Sequence, residues 1–240
     1  MRGIPAAVST RVRRYLEQRL NTPQIEIALR QLADRGFKPE LIFDVGAYKG
    51  EFTQLCLQHW PTASVACFEP LPQRVEELKA LARRNASVRV FPGLLGARCE
   101  QAVTFHELET SSSVLEEWAH PEFPASQHPM ITIDRVVTDS FGGRSPDFLK
   151  MDTQGYELEI LKGAEKSLAG MKAILAELNL LDLHKGAGLL GDVVCWLNER
   201  GWVAYDICGL HRRPLDNALW CVDLLFVPQD TPLRADKRWG

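Results

Sequence analysis

Four residues have the types and spacing to bind a small ligand. The apolar run Leu41–Val45 leads into a segment with the spacing D-x-G-x-x-x-G, in which Asp44 is the acid and Gly46 and Gly50 are the glycines. Glu69 ends the next apolar run. Glycine has no Cβ atom, so the backbone can turn tightly and approach a ligand. A carboxylate at the end of the second strand of an open α/β sheet can accept hydrogen bonds from ribose hydroxyls.

The glycine spacing indicates which ligand such a site would take. Neither the dinucleotide pattern G-x-G-x-x-G nor the phosphate-binding pattern G-x-x-x-x-G-K-[ST] is present in this segment. An adenosine ligand that is positively charged and carries no phosphate fits better, and S-adenosylmethionine is such a ligand. The alternative is that the glycines form only a turn and that Glu69 is an acid in favourable contact with a helix N-terminus.

A second group of polar residues has the chemistry to act on a methyl acceptor. Lys150 and Asp152 lie two residues apart at the end of a later apolar run, and Glu157 opens the following helix. Residues two apart on a strand face the same side. Methyl transfer is an in-line displacement that needs an aligned nucleophile and a proton acceptor. We predict that these three residues orient or deprotonate the acceptor, with His184 on a later loop as a further candidate base. The alternative is that Lys150 and Asp152 only neutralise each other.

The elements that must position these residues alternate along the chain. Helices are predicted over residues 10–20, 23–36, 51–59, 71–84, 156–169 and 189–200. Strands are predicted over residues 41–45, 64–68, 88–91, 147–151, 173–177, 202–207 and 219–227. Short apolar strands between helices predict a doubly wound, mostly parallel α/β sheet. The last two strands are too close in sequence for a helical crossover, so we predict an antiparallel last strand. This seven-stranded, Rossmann-like arrangement is associated with class I methyltransferases that use S-adenosylmethionine.

The element order predicts three segments. Residues 1–39 form a helical lead, residues 40–228 the catalytic domain and residues 229–240 a polar tail. Residues 108–130 lack both the helical and the strand period and are predicted to be a loop or lid. The Leu94-Leu95-Gly96 segment after the third strand is predicted to lie near the adenine.

Composition is typical of a globular domain without a strongly charged partner. The 240 residues include 28 Lys and Arg against 31 Asp and Glu, so the formal charge is −3 and nucleic-acid binding is not expected. The apolar runs are too short to span a membrane. The six cysteines form no C-x-x-C pair, and the N-terminus lacks the apolar core of a signal peptide. We therefore predict a cytoplasmic protein with reduced cysteines. Its oligomeric state stays open.

Several motifs are similar to those of the FkbM family of S-adenosylmethionine-dependent methyltransferases. Residues 149–164 (LKMDTQGYELEILKGA) resemble the family pattern K-I-D-x-E-G-x-E-x-x-x-L-x-G-A, and residues 43–53 (FDVGAYKGEFT) resemble D-V-G-A-N-x-G-x-x-T. Further matches are Phe68-Glu69-Pro70, Ser111-Ser112-Ser113, Ile133-Asp134 and Val222-Asp223-Leu224-Leu225-Phe226. The resemblance covers about residues 40–227 and implies methyl transfer, usually to a hydroxyl of a sugar or natural product.

The resemblance also implies cofactor-binding residues and shows two departures. The residues expected to bind S-adenosylmethionine are Asp44, Gly46, Tyr48, Gly50, Thr53, Glu69, Pro70 and Leu95. Tyr48 replaces the family's Asn, which places a ring by the cofactor but removes an amide. Gln154 replaces the acid before the glycine, so a role that needs a carboxylate there is in doubt.

No metal is predicted, although one metal set is kept as an alternative. Asp152, Glu177 and Asn179 resemble, by strand position and with altered spacing, the acid, acid and amide that hold magnesium in catechol-type methyltransferases. Two other functions also stay open. One is a nucleotide- or NAD-binding oxidoreductase on a similar sheet, and the other is a non-catalytic binding module. The predicted function is O-methylation of a small-molecule or glycan acceptor.

Overall fold

The computed structural model describes residues 22–108, 112–119 and 122–239. The strands are β1 (Leu41–Val45), β2 (Ser64–Glu69), β3 (Val88–Pro92), β4 (Leu94–Leu95), β5 (Glu100–His106), β6 (Ala125–Ile131), β7 (Phe148–Met151), β8 (Ala173–Asn179), β9 (Trp202–Arg212) and β10 (Leu219–Pro228). The α-helices are α1 (Ile25–Asp34), α2 (Glu51–His59), α3 (Pro72–Arg84), α4 (Ile133–Phe141), α5 (Glu157–Lys162) and α6 (Leu190–Asn198).

Seven of these strands form the main sheet, in the order β3-β2-β1-β7-β8-β10-β9. In this sheet the five strands β3, β2, β1, β7 and β8 pair in parallel, whereas β10 is antiparallel to both of its neighbours. This confirms the predicted α/β sheet, mostly parallel with an antiparallel last strand. The closing hairpin is also confirmed, although β9 continues to Arg212, five residues beyond the predicted end.

The apolar strands are buried because helices cover both faces of the sheet. Every residue of β1 and of β7 is buried. Neighbouring residues on one strand enter opposite cores: Phe43 and Leu149 pack in one, and Ile42 and Phe148 in the other. This alternation explains why the strands read as continuous apolar runs, and it fixes which side of the sheet each polar residue at a strand end faces.

A second, smaller sheet corrects the prediction for residues 108–130. Strands β4, β6 and β5 form it, and β6 occupies residues 125–130 of the segment predicted to be a loop or lid and ends one residue beyond it. Residues 112–119 contain no helix or strand of that sheet and are held by isolated bridges, His106 to Ser113 and Glu117 to His184. The small sheet was missed because β6 has three consecutive polar residues, 126–128, followed by Pro129, which sequence rules confine to edge strands, strand starts and bulges.

The helix predicted over residues 156–169 is also shorter than expected. α5 ends at Lys162, and a 3-10 helix follows at Ser167–Gly170. A Cβ atom on Gly163 would collide with the carbonyl oxygen of Gly96, so close packing fixes this turn. Asp134 then accepts hydrogen bonds from the backbone N–H of Ser167 and from its hydroxyl, which anchors the start of the 3-10 helix.

The ends of the chain test only part of the predicted organisation. Helix α1 lies within the predicted lead and packs on α2 and β9, whereas the helix predicted over residues 10–20 lies outside the described residues. In the described part of the chain, no helix combines the length and hydropathy needed to cross a membrane.

All six cysteines are free, and Cys99 and Cys195 are exposed, so four of the six are core residues.

Candidate active site

A cavity lies at the carboxyl ends of β1 and β2 and beside the residues after β7. This is where open α/β sheets bind ligands. Five of the predicted cofactor residues line it: Gly46, Tyr48, Glu69, Pro70 and Leu95. The small sheet forms one wall through Leu94, Leu95 and Phe105.

The glycine turn after β1 depends on a close approach between two strand ends. Gly46 has a φ of 70°, and a Cβ atom there would collide with the carbonyl oxygen of Asp152. Gly50, with a φ of 82°, precedes α2 and does not line the cavity. Only glycine fits at Gly46, because both the backbone angle and the packing exclude a side chain.

Glu69 is held at the cavity wall by two backbone hydrogen bonds. Its Oε2 accepts from the N–H of Tyr48 (2.9 Å) and its Oε1 accepts from the N–H of Leu71 (3.0 Å). Burial raises the pKa of this carboxyl above its usual range. Each carboxylate oxygen has a second lone pair. Glu69 is thus oriented by its own backbone neighbours and retains capacity to accept from the two hydroxyls of a ribose.

A buried ion pair supports the glycine turn from behind the cavity. Asp44 is fully buried; its Oδ2 accepts from the Thr53 hydroxyl (2.7 Å), and its Oδ1 lies 3.3 Å from Nζ of Lys150. The same Nζ donates to the carbonyl oxygen of Gly46 at 2.8 Å. Asp44, Thr53 and Lys150 do not line the cavity, so we propose that they position the turn instead of touching the cofactor or acceptor.

Lys150 is charged and is not available as a base. Burial opposes its charged form, but Asp44 and then Asp152 raise the pKa of Lys150 above its ordinary value. The distance to Oδ2 of Asp152 is 3.7 Å, longer than the 3.3 Å to Asp44. The predicted pairing with Asp152 is present, but the stronger partner is Asp44 on the neighbouring strand.

Asp152 faces the cavity and is oriented by Gln154. The side chain of Asp152 is 41% exposed, and the residue lines the cavity. Nε2 of Gln154 donates both to Oδ1 of Asp152 (3.1 Å) and to Oε2 of Glu177 (2.6 Å). Burial and the charge of Asp152 raise the pKa of Glu177 well above its ordinary range. One amide group therefore links two carboxyl groups at the edge of the cavity.

The family model of the methyltransferase FkbM domain matches residues 44–203, which include the end of β1, the glycine turn, Asp152 and the small sheet. The chain belongs to the FkbM methyltransferase family. This confirms the family predicted from the motifs, and membership supports S-adenosylmethionine as the cofactor. The match also speaks against the oxidoreductase alternative.

Two relatives show how far this FkbM-family chain is similar to known proteins. The 2-O-methyltransferase NoeI of Sinorhizobium fredii is 23% identical over 202 residues, which cover 77% of this chain and 82% of that protein. The crystal structure of methyltransferase FkbM from Methylobacillus flagellatus KT matches with a TM-score of 0.51 and 18% identity. That match covers 77% of this chain but only 43% of the other, so the chain spans less than half of that protein, and the likeness supports the fold alone.

The two departures from the FkbM pattern both lie at strained positions beside the cavity. Tyr48 has a φ of 47° and Gln154 a φ of 55°, values that Asn and Gly adopt more readily than other residues. The Tyr48 ring lies 4.5 Å from the Arg74 guanidinium carbon and 4.9 Å from Nζ of Lys49, which are cation–π distances. The ring thus gains contacts with two cations where the family's Asn would suit the backbone better.

Glu157, predicted to turn toward the site, lies behind the loop that carries Asp152. It is fully buried, does not line the cavity, and its Oε1 accepts from the N–H (2.7 Å) and the hydroxyl (2.9 Å) of Thr153. Burial raises the pKa of Glu157 to about 7. We propose that Glu157 positions the Asp152–Gly155 loop and does not contact the acceptor.

His184 lies in a seam between the loop after β8 and residues 112–119. It is 4% exposed and forms a backbone bridge with Glu117, and it does not line the cavity. The seam is fixed by the hydrogen bond from the N–H of Trp118 to Leu183 (3.0 Å) and by the ion pair of Lys185 with Glu116 (2.7 Å). A role for His184 as a base stays a prediction that this placement does not support.

Sequence reasoning did not assign several cavity residues, and it missed one of them, Phe105, because it missed the small sheet. Phe105 from β5, Ser112 and Val114 line the cavity, as does Tyr156, whose hydroxyl lies 3.8 Å from the sulfur of Met130. One signal was present. Val103 and Phe105 alternate with polar residues, which is the period of a half-buried strand.

The alternative metal set does not fit a cation between its two acids. The amide nitrogen of Gln154 already bridges Asp152 and Glu177. A cation between these carboxylates would have to displace a hydrogen-bond donor that satisfies both.

Proposed function

We propose that the protein transfers a methyl group from S-adenosylmethionine to a hydroxyl oxygen of a sugar, glycan or natural product. The observation that carries this is a cavity with Glu69 at the end of β2 and Asp152 directly after β7, in a chain of the FkbM family. The similarity to a 2-O-methyltransferase supports oxygen as the acceptor atom. The cytoplasmic location and the absence of a nucleic-acid partner stay predictions.

The residues present fit the cofactor. Bound S-adenosylmethionine supplies a methyl group on a positively charged sulfur. Glu69 accepts hydrogen bonds from the ribose hydroxyls, and the bare Cα of Gly46 lets the backbone approach the ligand. Leu95, Phe105 and Tyr156 provide apolar surface for the adenine.

Asp152 is the residue that we assign to the acceptor. Its carboxylate accepts a hydrogen bond from the acceptor hydroxyl and takes the proton as the new C–O bond forms and the S–C bond breaks. Gln154 and Lys150 restrict its orientation from two sides. Orientation by fixed neighbours contributes to the rate because the reacting oxygen must align with the S–CH3 bond.

Replacing Asp152 is expected to separate binding from transfer. Asp152→Asn keeps the size of the side chain and loses the proton acceptor, so kcat should fall by about 10²–10⁴-fold, while the affinity for S-adenosylhomocysteine changes by less than about threefold. Initial rates with a panel of sugar acceptors and calorimetric titration measure the two quantities. Asp139→Asn, an exposed residue paired with Arg135, is the matched control. Equal kcat in Asp152→Asn and the parent would remove Asp152 from the mechanism, and a parent that binds but never transfers would favour the binding module.

Replacing Glu69 is expected to weaken the cofactor complex. In Glu69→Gln, an amide N–H2 faces the N–H of Tyr48 or of Leu71, so two donors oppose each other and the ribose loses an acceptor. We expect the dissociation constant for S-adenosylhomocysteine to rise by about 10–100-fold, the equivalent of one or two charge-assisted hydrogen bonds. Glu76→Gln, in an exposed pair on α3, is the control. An unchanged constant in Glu69→Gln, with the fold retained by circular dichroism, would exclude Glu69 as the ribose ligand.

A further inference from the structure

We infer that the protein binds a divalent transition-metal ion such as zinc through Glu177, His211 and Cys221. These residues lie on β8, β9 and β10, which are adjacent in the sheet, and one ligand atom from each lies within 4.8 Å of the others. The set shares only Glu177 with the magnesium alternative derived from the sequence. It goes beyond the proposed methyl transfer, because neither methyl donor nor acceptor is needed to form it.

The sheet register brings the three residues to one face. Cys221 is the cross-strand partner of both Asn179 on β8 and His211 on β9, and Asp223 is the partner of Glu177. Directly opposite residues in an antiparallel pair point to the same side of the sheet. Ligands that lie on strands are held more rigidly than ligands on loops, which favours a preformed site.

His211 is already oriented as a metal ligand would be. Its Nε2 lies 2.8 Å from Oδ2 of Asp223. A Cβ atom at Gly209 would collide with that carboxylate oxygen, so the pair depends on glycine at this position. A carboxylate on one ring nitrogen fixes the tautomer and the ring plane of a metal-bound histidine, as in other metal sites. With Nε2 held by Asp223, a bound ion would take the other ring nitrogen, Nδ1.

Glu177 and Cys221 are also held in place by their surroundings. One oxygen of Glu177, Oε2, is held by Gln154, which leaves Oε1 for the ion. Cys221 is fully buried and its neighbour Asn179 is fully buried too. Neither amide atom of Asn179 has a hydrogen-bond partner among the described residues. An unpaired buried polar group costs about 1–3 kcal/mol, so a polar occupant on this face would be stabilised.

The donor set selects the kind of ion. Thiolate, imidazole and carboxylate together favour zinc and its neighbours over magnesium or calcium. In a tetrahedral zinc site the ligand atoms lie about 3.3–3.6 Å apart. Side-chain rotations that move each ligand atom by about 1 Å would bring the three atoms to these distances. The side chain of His211 is 42% exposed, which provides an entry path. Three protein ligands leave one position open, as in catalytic zinc sites.

Cobalt titration tests the site directly. The full-length protein is stripped with a chelator, dialysed and titrated with Co²⁺, with no methyl donor or acceptor present. We expect one equivalent to bind with a sulfur-to-cobalt charge-transfer band and to be displaced by Zn²⁺. Because no methyl transfer is measured, this result is independent of the proposed function.

Variants assign the ligands. Cys221→Ser should abolish the sulfur band, whereas Cys208→Ser, which changes another buried cysteine on β9, should retain it. Asp223→Asn should weaken binding by about 10–100-fold through His211, and His211→Ala should weaken it more. His211 is partly exposed, so this variant keeps the test valid if Cys221→Ser does not fold.

Three results would overturn the inference. The first is a folded parent protein that binds less than one equivalent of Co²⁺ or Zn²⁺. The second is a cobalt spectrum without the sulfur band. The third is an unchanged affinity in His211→Ala.

Discussion

Lys150→Met is expected to lower the free energy of unfolding by about 3–5 kcal/mol. The substitution removes the cation 3.3 Å from Asp44, a fully buried carboxylate that would keep only the Thr53 hydroxyl as a side-chain partner among the contacts described above. Leaving one charge unpaired in the core lowers the free energy of unfolding far more than replacing both charges by apolar residues. The variant also loses the donor to the carbonyl oxygen of Gly46, so cofactor affinity should fall as well.

Urea unfolding of the parent and these variants isolates the buried pair. Lys162→Met, which breaks an exposed pair with Glu159 at 2.6 Å, should cost less than about 1 kcal/mol. Combining Lys150→Met with Asp44→Asn should cost less than the sum of the single changes, because the second change removes the orphaned charge. A Lys150→Met protein within about 1 kcal/mol of the parent would show that the pair does not stabilise the turn.

Glu157→Gln is expected to change how stability depends on pH, by up to about 3 kcal/mol. Burial raises the folded-state pKa of Glu157 to about 7, whereas its ordinary value is 4.5. Between these values the unfolded chain has released a proton that the folded chain still holds, so rising pH favours unfolding. The parent therefore loses this stability as pH rises from about 4.5 to about 7 and gains none back above it.

The measurement is the difference between two unfolding curves at each pH. The glutamine amide in the variant does not titrate, so the free energy of unfolding of the variant minus that of the parent should grow across this window and then level off. Any constant cost of the new amide cancels in the slope. Glu159→Gln, two residues further along α5, is the control because Glu159 is partly exposed and pairs with Lys162. Parallel curves for Glu157→Gln and the parent would contradict a buried, protonated Glu157.

The sequence was sufficient to predict the main sheet and the strand ends that carry the acidic residues. Continuous apolar runs mark β1 and β7, and the order of elements places Gly46, Glu69 and Asp152 at one edge, where the cavity lies. The sequence could not predict the register between neighbouring strands. That Asp44, and not Asp152, is the nearer partner of Lys150 follows from the alignment of β1 with β7, which pairs Asp44 with Lys150.

The remaining differences come from tertiary contacts that leave no local pattern. Glu157 follows a loop with positive φ angles at Gln154 and Gly155, and the residue predicted to reach the acceptor is buried behind that loop instead. β6 includes three consecutive polar residues because it pairs with β4 and β5 in the small sheet and not within the main core. The Glu177, His211 and Cys221 group likewise needs three strands that are separated in sequence.

The central claim is that the cavity behind Glu69 and Gly46 binds an S-adenosyl ligand, and calorimetric titration of the full-length protein with S-adenosylhomocysteine tests it most directly. We expect saturable binding with one site per chain and a dissociation constant well below about 1 mM, a value that corresponds to about 4 kcal/mol. A folded protein that gives no saturable heat with S-adenosylhomocysteine or S-adenosylmethionine at about 1 mM would contradict the account.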